Sequence, residues 1–216
     1  MPGEQDLKHT DAVESRSVKR ICVFCGSSPG SGPVFLDAAE ALGSALLERA
    51  HDLVYGGASV GLMGRLAETV LAGGGNVIGV IPSALADKEV ALTRLPDLRV
   101  VPSMHDRKAM MADLSDGFIA LPGGLGTLDE FFEVLTWTQL GIHSKPCGLL
   151  NISGYFDKLV EFLDDAQDQL FIRPEHRSMI IVEEEPEALL DRFESFRRPE
   201  VDKAEWILSL TNKKIV

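Results

Sequence analysis

Cysteine is scarce in this chain: Cys22, Cys25 and Cys147 are the three among 216 residues. An odd, sparse count is no disulfide framework and fits a reducing compartment, so a cytoplasmic location is expected. Cys22 and Cys25 have C-x-x-C spacing, but they lie in the apolar run ICVFC, where residues three apart face opposite sides of a strand. A redox pair belongs at a helix start, so these two are expected to be small buried residues. The five histidines (His9, His51, His105, His143, His176) show no ligand spacing, and no metal site is expected. Basic charge is also short. With 21 Lys+Arg against 33 Asp+Glu the net charge is −12, which argues against nucleic acid but leaves room for a small phosphate in a local basic site. No apolar run reaches membrane-span length, so no membrane partner is expected. The first 18 residues are polar, lack a signal-peptide core and are expected to form a disordered tail. Neither G-x-G-x-x-G nor G-K-[ST] occurs, which excludes the dinucleotide fingerprint and the P-loop. No cofactor is expected.

What is present is an alternation. Short apolar runs at 20–25, 52–55, 76–81, 98–101, 117–121, 147–150 and 178–182 read as strands. Helix-period segments at 33–50, 61–73, 104–114, 127–141, 153–168 and 186–196 lie between and after them. The runs are near-continuously apolar, as strands of a parallel sheet covered on both faces must be. The expected fold is therefore α/β: a doubly wound parallel sheet of about seven strands with helices on both faces, a single domain over 19–216. A short C-terminal segment, 203–210 (KAEWILSL), is expected to pack on the body or on a partner subunit.

Small residues cluster at strand carboxyl ends: Gly26-Ser27-Ser28, Gly56-Gly57-Ala58-Ser59 and Pro122 to Gly126. Ligands of such sheets bind there. The third cluster, PGGLGTLDE at 122–130, joins a strand to a helix. Its glycines let a ligand approach bare N–H groups, and the helix N-terminus favours a phosphate. It also carries Glu130, for which a phosphate cradle has no need. Thr127-Leu128-Asp129-Glu130 taken alone reads as a capping box, with Thr127 as N-cap, and such a cap can also orient a reactive carboxylate. The second constellation is SMHDRKAMM at 103–111, where Met104, Arg107, Lys108 and Met111 share a helix face. Cations are disfavoured near a helix start, so an anion held between Arg107, Lys108 and the glycine turn would relieve them. A solvated Arg-Lys pair is the plainer reading. Arg65, Glu68, Pro82 and Glu89 are weaker candidates. Met104, Trp137 and Thr138 are candidates for a base pocket, with Trp137 equally suited to the core.

Taken in order, SMHDRKAMM and PGGLGTLDE resemble the LONELY GUY family of cytokinin riboside 5′-monophosphate phosphoribohydrolases. The resemblance runs from about Lys19 to Phe196 and includes VFCGSS, VYGGASVGLMG, VIGVIP and LTWTQLGIHSKPCGLLN. It implies hydrolysis of the N-glycosidic bond of an N6-modified adenosine 5′-monophosphate by a Rossmann-like homodimer without a cofactor. By that resemblance Arg107 and Glu130 are catalytic. Gly123, Gly124, Gly126 and Thr127 form the phosphate turn, and Gly26, Ser27, Gly57, Met104 and Lys108 contact the nucleotide. Two alternatives share parts of this site: a general AMP or nucleoside 5′-monophosphate nucleosidase, and a nucleotide sensor or carrier without turnover. A lysine decarboxylase would need a lysine for pyridoxal phosphate, for which the sequence gives no support.

Overall fold

The computed structural model describes residues 18–86, 92 and 95–199. Almost all of the expected N-terminal tail, Glu89 and the segment 203–216 lie outside the described residues. Seven strands form one sheet: β1 (Arg20–Phe24), β2 (Asp52–Tyr55), β3 (Val77–Pro82), β4 (Asp97–Val101), β5 (Gly117–Ala120), β6 (Cys147–Leu150) and β7 (Ile180–Glu183). Every pair is parallel, and the order is β4-β3-β2-β1-β5-β6-β7. The helices are α1 (Pro33–Glu48), α2 (Gly61–Ala72), α3 (Ser83–Ala86), α4 (Met104–Leu114), α5 (Leu125–Leu140), α6 (Asp157–Asp168), α7 (Pro174–Arg177) and α8 (Pro186–Ser195).

The apolar runs explain the two-sided core. Ile21 and Val23 of β1 point to one face, where they meet Leu42 and Leu46 of α1, Leu66 of α2 and Leu189 of α8. Cys22 and Phe24 point to the other, with Met111 of α4, Phe131 of α5 and Leu163 of α6. A strand buried on both faces cannot alternate apolar with polar, which is why these runs are continuous. Cys22 and Cys25 fall in opposite cores, as their spacing requires. Burial pushes both thiols up, and Cys147 is pushed to about 12 by burial.

The order reverses at β1. The chain builds outward from β1 to β4, crosses back through α4, and resumes with β5 on the far side of β1. Phe24 pairs in register with Ala120, so the turns leaving β1 and β5 emerge side by side. A crevice at such a switch point is where doubly wound sheets bind ligands.

Several boundaries differ from the sequence expectation. Helix α5 begins at Leu125, with extended Gly124 as its N-cap and no side-chain cap. Thr127 is therefore inside the first turn, and the Thr127–Glu130 capping box is not formed. Helix α6 starts at Asp157, after a 3-10 turn at Ile152–Gly154 in which Ser153 has φ 51°. The one-turn helices α3 and α7 were not expected, being too short to show a period.

Candidate active site

The three glycine turns interlock at the switch point. Gly26 N–H donates to the Pro122 carbonyl at 3.1 Å, and Leu62 N–H donates to the Gly26 carbonyl at 3.1 Å. Gly61, at φ 58°, lies so close to the Ser27 backbone that a side chain there would overlap it. In the third turn a Cβ on Gly123 would run into the Thr127 side chain. A Cβ on Gly124 or Gly126 would meet nothing within 4 Å, so these two present bare backbone to open space. The N–H groups of Gly124, Leu125, Gly126 and Thr127 are the four that a helix start leaves without intrahelical acceptors. They converge with the positive end of the α5 dipole, an arrangement suited to a phosphate.

Ser103 caps α4: its hydroxyl accepts from Asp106 N–H at 3.2 Å. From the first turn that follows, Arg107 extends across the sheet and is buried, 8% exposed. Its Nε donates to the Val80 carbonyl at 3.0 Å, and its Nη2 to the Gly56 carbonyl at 3.5 Å. A Cβ on Gly56 would overlap this guanidinium, which explains the glycine at that position. Nη1 reaches Glu130 Oε1 at 3.2 Å and lies 3.4 Å from the Met104 sulfur. Glu130 comes from α5, one turn past the phosphate turn, and is 9% exposed. Its negative charge adds to the burial that holds the Cys22 and Cys25 thiols up. A carboxylate and a guanidinium desolvated together at the switch-point crevice are a candidate functional pair, because a buried ion pair is a poor source of stability.

The sequence-selected residues separate into groups. Arg107, Glu130, Gly26, Gly123, Gly124, Gly126 and Thr127 are brought together, with exposed Ser27 and Met104 at the rim. Gly57 is buried instead: its φ is 80°, a Cβ would press on Ile81 and Leu98, and its carbonyl accepts from Leu92 N–H at 3.1 Å. Lys108 corrects the anion-bridge reading. Its Nζ pairs with Asp129 Oδ2 and Glu133 Oε2, each at 3.1 Å, so carboxylates of α5 relieve it. Burial works to lower the Lys108 pKa, but these hydrogen bonds outweigh it and the net shift is upward. A protonated, doubly paired amine is a poor Schiff-base former. Thr138 is fully buried and donates to Val134, and Trp137 packs against the core. Arg65 pairs with Glu40 on the surface between α2 and α1. A residue the sequence did not suggest is Tyr155, after β6, whose hydroxyl donates to the Gly123 carbonyl at 2.6 Å. Its signal was the same strand-end rule, here in NISGYF.

A cavity of about 990 Å³ opens at the other end of the sheet, lined by Asp116, Trp137, His143, Lys145, Pro146 and Phe196. It lies at the amino ends of β1, β5 and β6, away from the glycine turns.

Fold and site together define a Rossmann-type α/β protein whose switch-point crevice is suited to a phosphate. A family model described as "Possible lysine decarboxylase" matches residues 63–193. The chain is 50% identical over 185 residues to a cytokinin riboside 5′-monophosphate phosphoribohydrolase of Arabidopsis thaliana, covering 86% of this chain and 85% of the relative. It is also 50% identical over 184 residues to a second Arabidopsis thaliana enzyme of that name, covering 85% and 86%. The chain belongs to this family, the LONELY GUY proteins. Among solved structures, a molybdenum cofactor binding protein from Rippkaea orientalis matches with a TM-score of 0.63 at 24% identity, over 83% of this chain and 98% of that one. That likeness concerns the fold alone.

Proposed function

We propose that this protein hydrolyses the N-glycosidic bond of N6-modified adenosine 5′-monophosphates, releasing the free base and ribose 5-phosphate. The observation that carries the reading is the buried Arg107–Glu130 pair, at 3.2 Å, beside a glycine turn built for phosphate. The relatives that bear this activity in their names support it.

The turn at Gly123–Thr127 holds the 5′-phosphate, and that anchorage places the ribose over Glu130. Cleavage passes through an oxocarbenium-like state with positive charge at C1′, which the carboxylate stabilises. Glu130 also directs water to C1′. As the C1′–N9 bond breaks, its electron pair leaves with the base; water supplies the hydroxyl of ribose 5-phosphate, and its proton ends on the base. Arg107 fixes the Glu130 carboxylate and contributes positive charge near the departing purine. No metal or organic cofactor enters this scheme.

The protein works as a homodimer in a reducing compartment such as the cytoplasm. Supporting the dimer, Leu125, Leu140 and Ile142 at the two ends of α5 are 87%, 57% and 65% exposed. Unpaired, buried Cys22, Cys25 and Cys147 suit the compartment.

The test is chromatography of products from isopentenyladenosine monophosphate, AMP and the unphosphorylated riboside, each beside Glu130→Gln. Release of base from the modified monophosphate but not the riboside is expected. The variant keeps shape and binding and loses turnover by about 10²–10⁴-fold. Faster release from AMP would move the assignment to a general nucleosidase. Nucleotide binding with no product would leave a sensor or carrier.

A further inference from the structure

The phosphate turn is held from outside by an aromatic residue that the scheme above does not use. Tyr155 follows β6, neighbour of β5 in the sheet, and its hydroxyl donates to the Gly123 carbonyl at 2.6 Å. Its ring stands edge-on to Phe35, in the first turn of α1, with centroids 5.9 Å apart. Phe35 in turn supports the loop after β1: at Gly30, φ 79°, a Cβ would press into the Phe35 ring at 2.5 Å. Behind it, Tyr155 packs edge-on against buried Phe156 at 5.0 Å. A continuous contact path therefore joins the β1 turn, α1, the β6 turn and the phosphate turn.

The peptide geometry gives the hydrogen bond a consequence. The Gly123 carbonyl and the Gly124 N–H belong to one planar trans peptide and point in opposite directions. Tying the carbonyl to Tyr155, on the β6 side, turns the Gly124 N–H toward the β1–β5 crevice. Glycine on both sides makes that peptide easy to rotate, so it needs an external hold. The backbone that presents donors to a phosphate would otherwise sample other orientations, and binding would bear the ordering cost.

We propose that Tyr155 is a positioning residue, fixing the Gly123–Gly124 peptide with its N–H directed at the 5′-phosphate. This rests on the phosphate-turn reading given above. Tyr155 is 46% exposed, so loss of its hydroxyl has little effect on folding. Phosphate affinity is what should change.

The experiment compares wild type with Tyr155→Phe, which keeps the ring against Phe35 and removes the donor. Titration calorimetry with ribose 5-phosphate and with adenine is combined with steady-state kinetics on isopentenyladenosine monophosphate and thermal melting. Expected for Tyr155→Phe is an about tenfold weaker ribose 5-phosphate affinity, the scale of one net hydrogen bond. KM should rise in parallel, while kcat, adenine affinity and melting temperature stay at wild-type values. Phe35→Leu, which loosens the support without touching the hydroxyl, should weaken ribose 5-phosphate binding less but in the same direction. Unchanged ribose 5-phosphate affinity in Tyr155→Phe would overturn the proposal, as would a loss confined to kcat. Wild type that binds ribose 5-phosphate without turning over nucleotide would sink the hydrolase reading and leave the Tyr155 comparison intact. Wild type that binds no ribose 5-phosphate would overturn both.

Discussion

Arg107 makes contacts that a lysine could not make together. Its planar fork spans the Val80 carbonyl on β3, the Gly56 carbonyl after β2 and the Glu130 carboxylate on α5. A lysine offers one ammonium on a flexible stem, so it can satisfy one of these and leave the others without a donor. Arg107→Lys preserves charge and should still lower kcat by about 100-fold, because a carboxylate displaced by an ångström loses its aim at C1′. Orphaning the buried carbonyls should also cost about 1–3 kcal/mol of stability. Turnover assays with urea unfolding check both effects, and a kcat within fivefold of wild type would reduce Arg107 to a generic cation. At this scale the sequence was legible in part. Arg107 and Glu130 belong to motifs whose pattern is local enough to single them out, and the structure brings the two together. Lys108 is adjacent to Arg107 and just as basic, yet its direction depends on where α5 brings Asp129 and Glu133. Tyr155 depends on β6 lying beside β5, which no local pattern specifies.

Elements were more legible than their ends. Continuous apolar runs marked all seven strands, because burial on both faces leaves a signal several residues long. The start of α5 was displaced by two residues since T-x-x-E looks like a capping box, whereas an extended Gly124 starts the helix two residues before Thr127. The far end of α5 bears a testable consequence. After Gly141, φ 77°, closes the helix, His143 turns inward over the Phe118 ring at 5.4 Å. Its Nδ1 receives Lys145 N–H at 3.2 Å and meets the Thr138 hydroxyl at 3.3 Å. Burial, helped by the Lys145 charge, pushes the His143 pKa down to about 4 against a smaller opposing hydrogen bond to Val134. The unfolded chain, with an ordinary histidine near 6.5, binds the proton first. The stability contributed by neutral His143 is therefore full above pH 6.5 and is lost as pH falls from about 6.5 to 4. Wild type should lose about 1–3 kcal/mol more over that interval than His143→Asn, which retains an acceptor for Lys145 N–H. Urea midpoints measured at half-unit pH steps would show it, and parallel curves would mean that His143 does not titrate between the two states.

For the whole molecule, the proposed homodimer raises the question of which surface a second copy would cover. Two exposed apolar patches compete: Leu125, Leu140 and Ile142 at the ends of α5, and Phe162, Leu170 and Phe171 on and after α6. Between its ends, α5 presents a shallow apolar strip through Leu128, Phe132 and Trp137. Helix α5 also carries Glu130 on its inner side, so packing on its outer side would steady the helix that holds the carboxylate. The α6 patch has acidic neighbours, Asp164, Asp165 and Asp168, on a chain whose net charge is already −12. Two such patches facing each other would add like-charge repulsion. The acids beside the α5 strip, Asp129 and Glu133, are already paired with Lys108, so pairing through α5 adds less repulsion and is favoured. Light scattering should give twice the 23.5 kDa chain mass for wild type and for Phe171→Glu, and a single chain mass for Leu140→Glu. Because both copies are acidic, added salt should tighten the wild-type dimer by screening their repulsion. A monomeric wild type at micromolar concentration, or dissociation caused by Phe171→Glu and not by Leu140→Glu, would remove α5 as the interface.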